Sequence, residues 1–204
     1  MTVNNRLKES QIEIKNAQLS FLKGQINPHF LFNTLNSIYA LSVKKSDDTP
    51  NAIVKLSGMM RYSLTEIERE FVLLDKEIQF ITNYIALQKI RLGITCSIIF
   101  EFKNDYPADK IIPFVFIAFV ENAFKFGIAS DENAEITINI NNNDGYLYFN
   151  INNKKLNKNP QENSTAIGIT NTKKRLDLLY PNKHQIEINE MKDAFSVILK
   201  INLR

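Results

Sequence analysis

The sequence predicts an α+β protein, with a long N-terminal helical hairpin followed by a layered α/β domain. Three observations carry that expectation. Apolar residues from Ile14 to Ile38 recur at intervals of three and four, the spacing of a helix packed in a bundle or coiled coil. From Ile94 onward several short runs alternate with a period of two, as strands do. Between two such runs lies Asn142-Asn143-Asp144-Gly145, whose Asp-Gly step is a hairpin turn signal.

The first helix is expected from about Asn5 to Lys45, with Ile14, Ala17, Phe21, Gly24, Pro28, Leu31, Leu35 and Ile38 along one seam. Pro28 inside it removes a backbone hydrogen bond, at a cost of roughly 3 kcal/mol or more, and the orphaned carbonyl belongs to the permissive Gly24. The polar cluster Lys44 to Pro50 ends this helix, and its proline can open the next. A second helix then aligns Ile53, Leu56, Met60, Leu64 and Ile67. Two long helices joined by a short turn leave apolar stripes exposed, so a four-helix bundle made by a homodimer is expected.

After Glu70-Phe71-Val72 a third helix carries Leu74, Ile78, Ile81, Ile85 and Leu92, with Asp75 and Glu77 complementing its dipole, and Gly93 ends it. Strands follow at Ser97 to Lys103, Ala134 to Asn141 and Tyr146 to Asn152, with a helix from Pro113 to Ile128 between the first two. Lys154 to Thr165 has no apolar period and reads as a mobile loop before a helix at Ile169 to Leu179. Strands at Gln185 to Asn189 and Ala194 to Leu203 close the chain. The expected division is a hairpin at 1–72 and an α/β domain at 73–204.

With 204 residues, 44% of them apolar, the chain can bury substantial cores. Its 25 basic and 22 acidic residues give a net charge of +3, too balanced to draw nucleic acid or an acidic membrane by bulk attraction. The single Cys96 excludes an intrachain disulfide and reads as a small buried hydrophobe. The longest apolar run, Ile111 to Val120, is about half the ~20 residues of a membrane span, and the N-terminus lacks a signal-peptide pattern, so a soluble chain or soluble excerpt is expected.

Two constellations carry chemistry. His29 follows Pro28 in Gln-Ile-Asn-Pro-His-Phe-Leu-Phe-Asn, off the apolar seam, where the stripe Leu19, Leu22, Ile26 gives way to Asn33 and Asn36. An imidazole at such an edge is open to approach, and its neutral form carries a nucleophilic ring lone pair. The second constellation is the helix from Pro113, which is apolar nearly all round yet holds Glu121, Asn122 and Lys125 within one arc of about 100°. Buried polar groups need polar partners, so something polar should face them, with a salt bridge from Glu121 to Lys125 at i, i+4 as the plain structural alternative. His184, in a turn after Tyr180-Pro181-Asn182-Lys183, reads as a solvated loop residue.

Asn27 to Asn33, continuing through Thr34-Leu35-Asn36-Ser37-Ile38, resembles the phosphoacceptor segment of the LytS-like family of bacterial sensor histidine kinases. Arg61-Tyr62-Ser63-Leu64 and Arg175 to Tyr180 match the same family, and Val120 to Gly127 resembles the N-box of the GHKL ATPase superfamily. The resemblance implies a GHKL-type α/β sandwich binding ATP and Mg²⁺, with Asn122 on the metal, Glu121 orienting the metal-phosphate chemistry and Lys125 on phosphate. Ala166-Ile167-Gly168-Ile169-Thr170-Asn171 resembles the second glycine box, which implies that Gly168, Ile169 and Asn171 contact nucleotide beside a lid at Lys154 to Thr165. This chain departs from the family at Phe126, commonly histidine, and at Ala166, commonly glycine. It also has Ile151-Asn152-Asn153-Lys154-Lys155 in place of an Asp-x-Gly-x-Gly box. Asn153 aligns with the adenine-recognising aspartate, and its amide can both accept and donate.

The implied activity is autophosphorylation of His29 from ATP, then transfer to an aspartate of a response-regulator receiver domain. Asn33 can orient the ring but cannot take its proton, and Phe30 stands where many other histidine kinases carry an acid, so water or a group outside this helix is expected to be the base. Sensing is expected in an upstream membrane segment, making this the cytoplasmic transmitter part of a longer bacterial inner-membrane receptor. The competing reading, which the lost aspartate and Ala166 favour, is a silent dimeric scaffold that signals without phosphorylation.

Overall fold

In a computed structural model the described residues are 28–92, 97–128, 134–156 and 164–204. The expected helix before Pro28, Gly24, Gly93, Cys96 and most of the presumed lid lie outside them. Helix α1 (Pro28–Val43) and helix α2 (Thr49–Thr65) form the hairpin. Helix α1 stops in a Schellman arrangement: the Ser46 N–H donates to the Leu41 carbonyl and that of Lys45 to Ser42, each at 3.0 Å, with Lys45 at φ 50°. Pro50 stands in the first turn of α2, where its missing N–H costs nothing.

The buried stripe of α1 is Phe30, Thr34 and Ile38, and that of α2 is Ala52, Leu56, Met59, Tyr62 and Ser63. Leu35, Ile53, Met60 and Leu64, on the seams expected to be covered by a second copy, are exposed on the single chain. Helix α3 (Leu74–Leu92) decides which face turns inward. It lies against both hairpin helices and against the α/β domain, so it captures the hairpin's inner face and leaves another stripe open. Being covered on nearly every side, α3 buries ten of its residues, including Glu77, Asn83 and Gln88.

A two-residue strand β1 (Val72–Leu73) pairs antiparallel with β3 (Lys110–Ile111), an element too short to leave a periodic signal. The main sheet runs β2-β4-β5-β7-β6, from β2 (Ser97–Asn104), β4 (Glu135–Asn143), β5 (Tyr146–Lys154), β6 (His184–Glu190) and β7 (Ala194–Asn202). Among the described residues only β2 and β4 pair in parallel. The β4–β5 turn consists of Asp144 and Gly145 alone, at φ 50° and 78°, since Asn143 pairs with Tyr146. Two consecutive positive φ values are the requirement of a type I′ turn.

Alternation in β4, β5 and β7 turns Ile136, Ile138, Ile140, Leu147, Phe149, Ile151, Val197, Leu199 and Ile201 inward. Helix α4 (Ile117–Gly127) and helix α5 (Ser164–Leu179) belong to the layer above. Phe116 stacks on Phe149 with ring centroids 4.8 Å apart, and Phe119 lies 5.8 Å from the same ring. Each fully buried phenylalanine contributes about 2–3 kcal/mol relative to exposure. The fold is thus α+β, a helical hairpin followed by an α/β sandwich.

Three boundaries differ from expectation. Helix α4 begins at Ile117 rather than Pro113, because Phe114 sits at φ 60° and cannot continue a helix. Helix α5 begins at Ser164, so Gly168 lies inside it rather than ahead of it. His184 opens β6 half-buried, its Nδ1 2.9 Å from the Tyr180 carbonyl and its Nε2 3.3 Å from Asp177 Oδ1, so it ties α5 to β6 instead of standing in solvent.

Candidate functional site

His29 is exposed in the first described turn of α1. Asn33, one turn on, places Nδ2 at 3.2 Å from each ring nitrogen, so its amide can donate to whichever nitrogen holds the lone pair. That is the orienting contact the i, i+4 spacing predicts. No Asp or Glu occurs in α1.

The neighbour of His29 is locked down. Phe30 is buried and stacks on Tyr84 of α3 at 4.8 Å, and Tyr84 meets Phe124 of α4 edge-on at 5.7 Å. An aromatic chain therefore runs from the residue after the histidine to the residue before Lys125. The Tyr84 hydroxyl accepts from Gln88 Nε2 at 2.6 Å, and burial raises its pKa above the ordinary range. Beside this chain is a cavity of about 30 Å³, lined by Phe30 and Leu31 of α1, Met59 and Ser63 of α2, Tyr84 of α3 and Glu121 of α4.

Helix α4 presents Glu121, Asn122 and Lys125 from an otherwise apolar surface. Asn122 is buried, while Glu121 and Lys125 are half-buried. Desolvation pushes the Glu121 carboxyl up to about 7, against the opposing pull of the Lys125 charge. The Lys125 Nζ lies 5.7 Å from the ring of Phe126, so the residue that replaces the family's histidine faces the lysine with a π surface.

The structure brings Asn153 to the end of α4. A Cβ on Gly127 would lie 2.9 Å from both Cβ and Nδ2 of Asn153, so the two residues are in direct contact. Asn153 is 2% exposed; its Nδ2 donates to the Lys154 carbonyl at 2.9 Å, and its Oδ1 is buried with no hydrogen-bond partner. A buried acceptor left open costs about 1–3 kcal/mol, which a ligand N–H would recover. Just beyond, the Leu156 N–H donates to the Phe126 carbonyl at 2.9 Å and fastens the strand exit to the helix.

Helix α5 approaches α4 at Gly168, where an added Cβ would meet Ala118 Cβ at an ordinary 3.6 Å. Packing therefore does not demand glycine there, although glycine within a helix costs about 0.5–1 kcal/mol relative to alanine. Ile169 and Asn171 are half-buried on the same helix. Glu121, Asn122, Lys125 and Asn153 thus share α4 and its C-terminal end, α5 brings Gly168 alongside, and His29 stands on the hairpin linked through Phe30.

Sequence reasoning missed a buried network around Glu77. The Tyr62 hydroxyl donates to Glu77 Oε2, which also accepts the Phe114 N–H at 2.9 Å. A signal was available, since Pro113-Phe114-Val115-Phe116 contains no side chain able to cap the buried helix that follows.

A family model described as histidine kinase matches residues 17–95, covering the hairpin and α3. The LytS sensor protein of Staphylococcus haemolyticus is 30% identical over 142 residues, 64% of this chain and 24% of the relative. That of Staphylococcus saprophyticus is 26% identical over 189 residues, 86% of this chain and 32% of the relative. Among solved structures the chain is similar to the Acinetobacter baumannii histidine kinase AdeS, with a TM-score of 0.45 at 11% identity, covering 93% of this chain and 96% of that one. The chain is thus similar to the LytS sensor proteins and, over its N-terminal part, to the histidine kinase family model, and it spans a quarter to a third of the length of these curated relatives. Among the described residues no helix is long and apolar enough to cross a membrane.

Proposed function

We propose that this chain is the transmitter part of a two-component sensor, phosphorylating His29 from ATP and passing the phosphoryl group to an aspartate of a receiver domain. The supporting observation is the exposed His29, oriented by Asn33, on a helix stacked through Phe30 and Tyr84 onto the N-box helix. A ring nitrogen lone pair forms the N–P bond, the bond from the γ-phosphorus to the bridging oxygen breaks, and ADP leaves. Positioning supplies most of the acceleration in such a transfer. The ring proton must leave α1, and Glu121, facing the same cavity as Phe30 with a carboxyl near 7, is the suited acceptor.

The nucleotide site fits its ligand at one point. The open Oδ1 of Asn153 can accept from the adenine amine. Asn122 would hold Mg²⁺ and Lys125 would meet phosphate oxygens; the metal, when bound, neutralises charge on the transferring group. Among the described residues no cluster of three or more His, Cys, Asp or Glu competes for it.

The decisive experiment incubates the chain with γ-labelled ATP and Mg²⁺ beside His29→Ala. Acid-labile label on the wild type, absent from the variant, is expected. Asn153 in place of aspartate favours the second reading, a silent dimeric scaffold; neither label nor nucleotide binding would select it.

The homodimer is a further part of this proposal. Phe32, Leu35, Tyr39 and Val43 on α1, with Ile53, Met60 and Leu64 on α2, are exposed apolar side chains at helical spacing. A second copy covering them completes a four-helix bundle. Leu35→Glu with Leu64→Glu is expected to bring the mass in light scattering to the single-chain 23.5 kDa; a double variant that stays dimeric moves the interface elsewhere.

A further inference from the structure

Helix α4 enters the protein interior without a capping side chain of its own. Its N-cap is Phe116, preceded by Pro113, Phe114 and Val115, all buried. The N–H groups at a helix start have no intrahelical partner, and a buried start must find one. Here the partner comes from another helix. Glu77 of α3, fully buried, is met by the backbone of the N-cap residue Phe116 and accepts the N–H of Phe114, two residues ahead in the entering turn, at 2.9 Å. A carboxylate so placed also meets the positive end of the α4 dipole.

The same oxygen receives the Tyr62 hydroxyl from α2. Tyr62 is fixed in turn by stacking on Phe80 at 4.8 Å and by an edge contact with Phe114 at 5.2 Å. Phe114 is held at φ 60°, a conformation unfavourable to a non-glycine residue that persists only where its surroundings enforce it. Glu77 Oε1 has no hydrogen-bond partner, nor has the buried Nη1 of Arg175 on α5, whose charge acts on this carboxylate. One carboxylate therefore faces the hairpin, the entry to the N-box helix and the helix of the glycine box.

We propose that Glu77 is a positioning residue for phosphoryl transfer, capping the N-box helix from outside and, through Tyr62, fixing that helix to the hairpin that carries His29. This rests on the kinase reading. Glu77 touches no substrate; it sets where Asn122 and Lys125 stand relative to the histidine.

The test uses the whole chain and two conservative variants, Tyr62→Phe and Glu77→Gln. Tyr62→Phe keeps both ring contacts and loses only the link. It is expected to bind ATP within about twofold of wild type in calorimetry while its labelling rate at saturating ATP falls tenfold or more, a kcat effect without a KM effect. Glu77→Gln is expected to weaken ATP at least fivefold and slow labelling, and adding Tyr62→Phe to it should cost little more, because both act through one link. A Tyr62→Phe variant with wild-type rate, or fully multiplicative losses in the double variant, overturns the proposal. Should the wild type take no label, the kinase reading fails by itself. ATP affinity then decides the cap: unchanged binding in Glu77→Gln overturns it.

Discussion

Replacing Gly127 by alanine is expected to lower the melting temperature by several degrees and to weaken ATP at least tenfold. The new Cβ would stand 2.9 Å from Asn153 Cβ and Nδ2 and 3.2 Å from Cγ. Asn153 cannot swing away, because it lies on β5 between Ile136 of β4 and Phe195 of β7 and is 2% exposed. Overpacking of this kind costs about 1–3 kcal/mol, and about 2–4 °C accompanies each kcal/mol in a chain of this size. The displaced amide is also the proposed adenine acceptor, so binding should suffer with stability. Asn153→Ala separates the two effects. It deletes a buried acceptor that has no partner together with the Nδ2 bond to the Lys154 carbonyl, two opposing effects on stability, so its melting temperature should move far less than that of Gly127→Ala while ATP affinity falls. Unchanged affinity in calorimetry would remove Asn153 from the nucleotide site.

Much of this arrangement is legible in the sequence, and the illegible part has identifiable causes. The alternation of Ile136, Ile138 and Ile140 with polar neighbours, and the Asp144-Gly145 step, specify a strand and its turn locally, so both emerge where expected. The dense apolar run around Glu121 and Asn122 predicts burial correctly for the same reason. Which apolar face of the hairpin turns inward within one chain is decided by α3, a partner that hairpin periodicity does not contain. The Phe30 to Tyr84 stack and the Glu77 network join residues far apart in sequence, and no local pattern encodes such a meeting. Glu77 shows the limit most plainly. In the first turn of α3 it reads as a dipole-complementing surface acid, yet its carboxylate serves the start of a different helix.

Glu121→Gln is expected to flatten the pH dependence of stability between about pH 4.5 and 7. Burial raises this carboxyl from 4.5 to about 7 in the folded chain. In that interval the native state holds a proton that the unfolded chain has released, so stability falls as pH rises. The sign is opposite to that of a salt-bridged acid, whose stabilisation is lost on acidification. At 1.36 kcal/mol per unit, the loss is at most about 3 kcal/mol, and water reaching this half-buried group reduces it. Glu77, also raised by burial, adds a slope of the same sign that the variant retains. Urea unfolding at pH 5 and pH 8 measures both: the wild type should lose stability between them, and Glu121→Gln should lose distinctly less. If Glu121 also takes the His29 proton, labelling should rise through pH 7 in the wild type, where stability is declining, and remain slow and flat in the variant. A variant with the wild-type rate profile but the flattened stability profile would leave Glu121 as a strained core acid and return the base to water.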